Sequence, residues 1–411
     1  MRISIHVYGT RGDVQPYLAL AKRLLSGGHE VQLVGPRRYA YLAFRHRVKY
    51  QPLPNDMLDL LDTTAGRRAV GGGIMASFML LKHVRGFVDD LLKDEWQAAH
   101  DFWPDLIIFH PKSIASPHMA ERIGCRSILA SPLPILTPTS EFPSPMFPVR
   151  SLGPFNRLSH EITRWLSTHL FPKSIARWRR KTLGLREKPL RSHKPASVLY
   201  AYSRHLVPIP RDWGRNVHVT GPWWLEEPGW KAPTELEAFL AGGAPPVYVG
   251  FGSMPGVDPA RLTGMVVKAV ARLDKRVLLS TAGGALAPGP SSSRVFTLSD
   301  APHHHLFERV DATFHHGGAG TTAAALRAGK PTLICPFFGD QPFWANRIQS
   351  LGVGPPPLKL ARLSVDSIAA ALRAMDDPAV RARARQLGSQ IRDENGVDCA
   401  AHIVDRLGWA P

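Results

Sequence analysis

The sequence predicts an α/β protein with two Rossmann-like domains, each built on a doubly wound parallel sheet, which face each other across a cleft. The chain has 411 residues, too many for one hydrophobic core and suited to two domains of about 200 residues each. Its hydrophobic content of 44% is ordinary for a globular protein. Strand-like and helix-like patterns alternate from residue 3 and again from residue 246. This alternation is typical of parallel sheets that bind ligands at the carboxyl ends of their strands.

The first domain is predicted over residues 1–220 and opens with a βαβ unit. A strand at Ile3–Tyr8 is followed by a loop at Gly9–Gln15. The first helix is predicted to begin at Pro16, because proline suits the first helical turn. Later elements are predicted as strands at Val31–Val34, Leu106–Phe109 and Ser127–Leu129, a proline-rich loop at Pro132–Pro148, and one helical stretch at Phe155–Leu183.

Prolines and tryptophans interrupt the periodicity after residue 220, which predicts an inter-domain linker over residues 221–245. The second domain is predicted over residues 246–399, beginning with a strand that leads into Gly250-Phe251-Gly252. Its further strands are predicted at Val277–Ser280, Val295–Leu298, Val310–Phe314 and Pro331–Phe337.

A glycine-rich run in the second domain is the main indication of function. It reads His315-His316-Gly317-Gly318-Ala319-Gly320-Thr321-Thr322 and leads into a helix-forming run. A strand, a glycine turn and a helix in that order favour a bound phosphate at the helix N-terminus. Asp340 and Gln341, just past the next strand, can hydrogen-bond a sugar beside the phosphates. The pattern predicts a nucleotide-sugar site, although the glycines also fit a simple tight turn and Asp340-Gln341 a loop cap.

The net charge of +18 and the isoelectric point near 10.2 favour anionic partners. Nucleic-acid binding is not expected, because the basic residues are spread over both halves and no nucleic-acid module is recognisable. The densest basic patch lies at residues 177–194, and it is either a docking site for an anionic membrane or a solvated helix face. Three well-separated cysteines and the lack of a signal-peptide pattern predict a cytoplasmic protein.

Taken together, the motifs resemble those of the inverting family-1 glycosyltransferases of GT-B fold. The resemblance is strongest to sterol 3-beta-glucosyltransferases and to bacterial relatives that glycosylate lipophilic aglycones. It extends along nearly the whole chain and is specific because all the stretches occur in one order. The stretches are residues 9–16, 138–143, 155–158, 249–254 and 301–303, the glycine-rich run, and Asp340-Gln341.

The resemblance implies a role for each candidate residue in moving a hexose, most simply glucose, from a UDP-sugar to a hydroxyl of a sterol, triterpene or polyketide. His315 contacts the donor diphosphate, which is also lined by Ser253, Gly317, Gly318, Gly320 and Thr321. The nucleobase lies near Ala301 and His303, and Asp340 and Gln341 hold the sugar. No metal is expected, because the chain has no Asp-X-Asp motif. A last helix, within residues 400–411, is expected to return to the first domain.

Asp13 is the candidate general base, because it follows the first strand and a carboxylate there can take a proton from the acceptor hydroxyl. The same position also fits an ordinary helix cap. His110 ends the strand Leu106–Phe109 and is expected near Asp13, as a partner in catalysis or as a structural histidine.

Two departures from plant relatives leave the donor nucleotide open. Asp300-Ala301 stands where those relatives stack the base on a tryptophan, and Ala323 where they hold the ribose with a glutamate. A TDP-sugar-dependent antibiotic or glycolipid glycosyltransferase therefore remains an alternative, and a GT-B nucleotide-sugar epimerase a weaker one. The expected acceptor walls, Ile74–Leu81, Phe87–Trp96 and the loop at Phe142–Phe147, also fit ordinary core helices.

Overall fold

Two parallel β-sheets organise the chain in its computed structural model. The structure describes residues 1–63, 73–187, 194–226, 229–254, 258–299 and 301–408, and only the backbone of residues 57, 61–62, 73–85 and 408. Several residues of the sequence analysis therefore lie outside the described ones: part of the basic patch, Asp300, residues 409–411 and the side chains of Ile74–Leu81.

The first sheet contains seven strands: β1 Arg2–His6, β2 Glu30–Pro36, β3 Lys49–Leu53, β4 Leu106–Phe109, β5 Arg126–Ser131, β6 Ser197–Tyr200 and β7 Val217–Val219. Their spatial order is β3-β2-β1-β4-β5-β6-β7, and each neighbouring pair is parallel. The order reverses between β1 and β4, which is the position where doubly wound sheets bind ligands. The helices of this half are α1 Arg11–Ser26, α2 Ala40–Arg45, α3 Asp56–Asp62, α4 Gly73–Phe102, α5 Ser116–Ile123, α6 Asn156–His169 and α7 Pro172–Lys181.

The second sheet contains five strands: β8 Val247–Gly250, β9 Val277–Ser280, β10 Val295–Leu298, β11 Ala312–His315 and β12 Thr332–Ile334. Their order is β10-β9-β8-β11-β12, again with parallel neighbours and with its reversal between β8 and β11. The remaining helices are α8 Thr234–Ala241, α9 Pro259–Ala271, α10 His303–Leu306, α11 Ala319–Arg327, α12 Gln341–Ser350, α13 Val365–Ala374, α14 Pro378–Arg392 and α15 Gly396–Gly408. The predicted fold class is confirmed.

Strands of the first sheet are covered on both faces, as expected for parallel strands. Ile3 and Ile5 of β1 pack into a core with α1, whereas Ile107 and Phe109 of β4 pack into a second core with α4 and α5. Ala401, in α15, belongs to the α1 core, so the last helix returns to the first sheet. The domain limits themselves stay predictions.

Three predicted elements differ from the structure. The first helix begins at Arg11 rather than Pro16, because Thr10 serves as its N-cap and the Asp13 carboxylate accepts the Thr10 N–H at 2.7 Å. The stretch Phe155–Leu183 forms two helices, since the proline at position 172 disfavours helical geometry in the residue before it. The predicted linker contains α8.

An apolar cluster joins the two halves beside the linker. Tyr202 and Leu206, which follow β6, pack with Phe343 and Trp344 of α12. A polar contact accompanies them, because the guanidinium Nε of Arg347 donates to the carbonyl of Leu206 at 2.8 Å. No helix among the described residues has the length and apolar content needed to cross a bilayer.

Candidate active site

The loops that carry most predicted site residues leave the two sheets at their reversal points. Asp13 lies in the first turn of α1, which follows β1, and His110 directly follows β4. In the second sheet Ser253 follows β8, and His315 is the last residue of β11. Because parallel strands end at one edge of the sheet, each pair of loops forms one crevice.

Asp13 lies in a dense set of hydrogen-bond donors. Its Oδ2 accepts from the backbone N–H of Thr10 at 2.7 Å, from the Thr10 hydroxyl at 3.1 Å and from Lys112 Nζ at 2.9 Å. Its Oδ1 lies 3.4 Å from His110 Nε2. Burial raises the pKa of the carboxyl, but the Lys112 ammonium and His110 outweigh burial and hold the pKa well below its usual range. Asp13 is therefore ionised at neutral pH.

His110 is a neutral donor to Asp13. Its Nδ1 accepts the backbone N–H of Lys112 at 3.1 Å, which leaves the proton on the Nε2 that faces Asp13. Burial lowers the pKa of this imidazole, although Asp13 opposes that shift. The structure thus brings His110 and Asp13 together, with the carboxylate as the acceptor of the pair.

Lys112 is a site residue that the sequence reasoning missed. It belongs to no recognised motif, and the only indication of its role is its position three residues past the end of β4. A glycine is needed beside this pair. A Cβ at Gly9, whose φ is +147°, would lie 2.1 Å from Asp13 Oδ2 and 2.9 Å from Lys112 Nζ.

A buried polar network supports the loop that carries Lys112. His6 Nδ1 lies 3.2 Å from Glu95 Oε2, and the Ser113 hydroxyl donates to the same carboxylate oxygen. All three side chains are almost fully buried. Ser113 directly follows Lys112, so this network fixes the loop from beneath.

His315 presents an N–H group at the start of the glycine turn. The imidazole is fully buried, and its Nδ1 accepts the backbone N–H of Gly317 at 2.9 Å. Burial, with smaller contributions from His316 and His303, keeps the pKa well below its usual value, so the ring is neutral and Nε2 carries the proton. This Nε2 has no hydrogen-bond partner among the described residues. A buried donor without a partner is costly, which suits a site that receives an anion.

The glycines of the turn differ in what they require. Gly317 has a φ of +91°, and a Cβ there would come within 2.7 Å of Ile334 Cγ2. Gly318 is the N-cap of α11, and Gly320 and Thr321 lie in its first turn, where backbone N–H groups favour an anion. A Cβ at Gly320 would meet no protein atom within 4 Å. Ser253, across the reversal point, is exposed.

Asp340 and Gln341 occupy the start of α12. The Asp340 Oδ2 accepts from Trp344 Nε1 at 2.7 Å. Burial raises the pKa of Asp340, and the hydrogen bond from Trp344 opposes that shift. The charges of Lys112 and Asp13 add smaller effects of opposite sign.

The amide of Gln341 is largely engaged within its own loop. Its Oε1 accepts the backbone N–H groups of Phe337 and Phe338 at 2.7 and 3.2 Å, and its Nε2 donates to Met254 Sδ at 3.3 Å. Gln341 therefore braces the loop beside Asp340, and its remaining amide N–H is what it can offer to a sugar.

The two residues predicted near the nucleobase differ in access. The Ala301 side chain is 9% exposed and packs in an apolar cluster, so a base could reach mainly its backbone. His303 is half-buried, stacks on Phe307 at a ring distance of 4.6 Å, and places Nε2 3.2 Å from the Tyr248 hydroxyl. Over the described part of the chain, no three His, Cys, Asp or Glu side chains are grouped to hold a metal ion.

One of the predicted acceptor walls, Phe87–Trp96, contributes side chains to the hydrophobic core. Val88 and Leu92 of α4 are buried among the strands of the first sheet. Phe142, in contrast, is half-buried and meets Phe343 of the second domain at a ring distance of 5.9 Å. The loop at Phe142–Phe147 is therefore the better candidate for an acceptor wall.

Comparison with known proteins agrees with this architecture. Residues 3–102 match the glycosyltransferase family 28 N-terminal domain, and residues 264–407 match the erythromycin biosynthesis protein CIII-like C-terminal domain. The sterol 3-beta-glucosyltransferase of Neurospora crassa is 38% identical over 435 residues, which cover 99% of this chain but only 27% of that protein. The chain thus spans about a quarter of that relative.

Solved glycosyltransferases share the fold over nearly their full length. The glycotransferase of kitacinnamycin superposes with a TM-score of 0.74 at 19% identity, covering 98% of both chains. The glycosyltransferase VinC, solved in complex with dTDP, gives 0.68 at 18% identity and covers 99% of both. The matched domains, the relative and the shared fold together show that this chain has the GT-B fold and resembles glycosyltransferases along nearly its whole length.

Proposed function

We propose that this protein transfers glucose from UDP-glucose to a hydroxyl of a sterol or similar lipophilic aglycone, with inversion at the anomeric carbon. The observation that carries the proposal is the placement of Asp13 and His315 at the reversal points of the two sheets. Asp13 provides an ionised carboxylate beside Lys112, and His315 provides a buried Nε2 that has no hydrogen-bond partner among the described residues. This arrangement supports a base and a donor sugar meeting in one cleft.

In the proposed reaction, the acceptor oxygen attacks the anomeric carbon from the face opposite the diphosphate. The new carbon–oxygen bond forms as the bond to the diphosphate oxygen breaks, and the hydroxyl proton passes to Asp13. An α-linked donor therefore gives a β-glycoside. His110 and the Thr10 N–H hold the carboxylate in place.

The leaving diphosphate would be stabilised without proton transfer. The Nε2–H of His315 and the N-terminal N–H groups of α11 are fixed donors for the charge that develops as the bond breaks. Because His315 is neutral, it acts by hydrogen bonding and not by a full positive charge. We expect this stabilisation to need no metal ion.

A dTDP-sugar is the second candidate donor. The dTDP complex of VinC, a protein of the same fold, favours it, whereas the sterol glucosyltransferase relative favours glucose on a sterol. The three free thiols support a reducing compartment, and we place the enzyme in the cytoplasm.

Donor binding and product analysis test the proposal together. Calorimetry with UDP, dTDP, UDP-glucose and dTDP-glucose in the presence of EDTA identifies the nucleotide. The preferred donor is then incubated with detergent-dispersed sterols, and the anomeric configuration of any product is read by NMR. We expect metal-independent binding and a β-glycoside. No binding of any donor without metal, or an α-linked product, would falsify this mechanism.

A further inference from the structure

Helix α6 is oriented with its apolar side chains toward solvent. Leu158, Ile162, Trp165 and Leu166 are exposed, Trp165 to 59%, and Phe155 just before the helix to 63%. The spacing of three and four residues places them on one stripe. A surface helix of a globular protein normally buries such a stripe. We call these five residues the α6 stripe.

The opposite, polar face of α6 is buried against the loop that follows β5, and it forms hydrogen bonds with that loop. The Ser159 hydroxyl accepts the backbone N–H of Ser144 at 2.8 Å, and Thr163 donates to the Ser144 hydroxyl at 2.9 Å. Asn156 Nδ2 donates to the carbonyl of Ser140 at 3.0 Å. These bonds fix how α6 faces the protein, and they leave the α6 stripe facing outward.

Positive charge surrounds the α6 stripe. Residues 150–187 contain nine Arg or Lys against two Glu, and one of the nine, Arg179, is buried and paired with Glu121. Arg157 and Arg164, on α6 itself, each expose 55% of the side chain. Their contacts with Asp212 at 3.8 Å and with Glu161 are solvent-exposed, and such pairs bind weakly. The α6 stripe is thus an apolar surface within a cationic rim.

The described part of the basic patch, residues 177–187 and 194, is a poorer docking surface. Trp178 and Arg179 within it are buried, and Arg179 is paired with the buried carboxylate of Glu121 at 2.7 Å. Of the exposed arginines there, Arg180 lies 2.8 Å from Glu187. The preceding helix α6 offers an exposed apolar area that the described residues of this patch lack.

We propose that the α6 stripe docks on an anionic phospholipid bilayer. Its apolar residues would enter the acyl–headgroup boundary, with Trp165 at the interface, and the arginines would contact lipid phosphates. A second copy of the chain is a poorer occupant, because self-association would bring two cationic rims together on a protein of net charge +18.

Docking there would serve the proposed function, on which this step of the inference rests. The loop held by α6 includes Phe142, at the cleft, and Met146, whose side chain is 49% exposed. A docked α6 would therefore bring the acceptor side of the cleft to the membrane, where a lipophilic acceptor is dissolved.

Vesicle co-sedimentation, without donor or acceptor, tests the docking. The vesicles contain phosphatidylcholine alone or equal parts of phosphatidylcholine and phosphatidylglycerol. We expect binding to the anionic vesicles, weakened by salt because exposed charges are screened. The double variant Trp165→Ser/Leu166→Ser should bind at least about tenfold more weakly. The matched control is Tyr41→Ser/Phe44→Ser on α2, where Phe44 is 85% exposed, and it should bind like the unmodified protein.

Two results would overturn the docking proposal. The first is equal vesicle binding by the α6 double variant and the unmodified protein, or no binding by either. The second is concentration-dependent dimerisation, seen by sedimentation velocity, that the α6 double variant abolishes, because the stripe would then belong to a second copy. Nucleotide binding, measured in parallel on the same variants, separates failure of the docking from failure of the glycosyltransferase proposal.

Discussion

The ammonium of Lys112 lies 2.9 Å from Asp13 Oδ2, although 99 residues separate the two in the chain. The same Asp13 oxygen accepts the Thr10 N–H, so one carboxylate oxygen meets a cation and a helix-cap donor at once. A carboxylate held in this way is a weak base. Lys112 therefore weakens Asp13 as a base, and a mechanism in which Asp13 removes the proton must include this effect.

Replacing Lys112 by Met should move the pH dependence of the reaction. Loss of the ammonium raises the pKa of Asp13 toward its usual value. The acid limb of the kcat/KM profile, which lies well below the usual carboxyl range in the unmodified protein, should therefore move up toward about pH 4. Lys112→Arg keeps the charge and should keep the limb in place. The profile is measured with a soluble acceptor; an unmoved limb in Lys112→Met would show that Asp13 does not set it.

Asp13→Asn should separate catalysis from folding. The amide oxygen can still accept the Thr10 N–H, so the helix cap persists, but an amide cannot take a proton. We expect kcat to fall by about 10²–10⁴-fold. Asp13→Ala should lose the cap as well and destabilise the protein by about 1 kcal/mol. Steady-state kinetics and thermal unfolding of both variants provide the check, and near-normal turnover by Asp13→Asn would rule out its role as base.

Stability in acid should reflect the same carboxylate. Because the folded-state pKa of Asp13 is depressed, its stabilising contribution is present above the unfolded-state value of about 4 and is lost as pH falls through the folded-state pKa. The difference in free energy of unfolding between the unmodified protein and Asp13→Asn should therefore shrink as the pH is lowered below about 4. Denaturant unfolding at several pH values tests this, and a constant deficit would contradict it.

His315 should support donor binding as a neutral group. Its depressed pKa predicts that the affinity for UDP-glucose, whose diphosphate does not titrate near neutrality, stays constant between about pH 6 and pH 8. His315→Ala removes the Nε2–H donor and should lower kcat by about 10²–10³-fold. Calorimetry across this pH range is the measurement, with His100→Ala, an exposed histidine on α4, as control. A rise in affinity on acidification would instead indicate that a protonated imidazole binds the diphosphate.

The sequence predicted strand bounds best for strands that have a neighbouring strand on each side. The bounds of β4 and β9 agree with those predicted, because continuous apolar runs in fully buried strands leave little ambiguity. The bounds of β10 also agree, although β10 is an edge strand and only half-buried at Phe296 and Thr297. The start of α1 was wrong because the side-chain cap at Thr10 and Asp13 determines it, whereas Pro16 is tolerated inside the helix.

The features of the site that the sequence did not predict are contacts between side chains far apart in the chain. The motifs placed Asp13 and His315 at strand ends, but nothing in a single sequence pairs Lys112 with Asp13. The burial of Arg179 was equally hidden, since its carboxylate partner Glu121 lies on another helix. Such contacts depend on the packing of whole elements and not on local pattern.

Two glycines of the same turn should respond oppositely to alanine. Gly317→Ala must place a Cβ at a φ of +91° and within 2.7 Å of Ile334 Cγ2, so this variant should unfold more readily. At Gly320 a Cβ meets no protein atom and the residue is helical, so Gly320→Ala should stabilise the fold by about 0.5–1 kcal/mol. The added methyl would nevertheless stand where a diphosphate is proposed to approach α11, and it should weaken donor binding by about tenfold or more. Thermal unfolding and UDP calorimetry on the two variants measure both effects. A Gly320→Ala protein that gains stability and keeps full UDP affinity would place the diphosphate away from this helix.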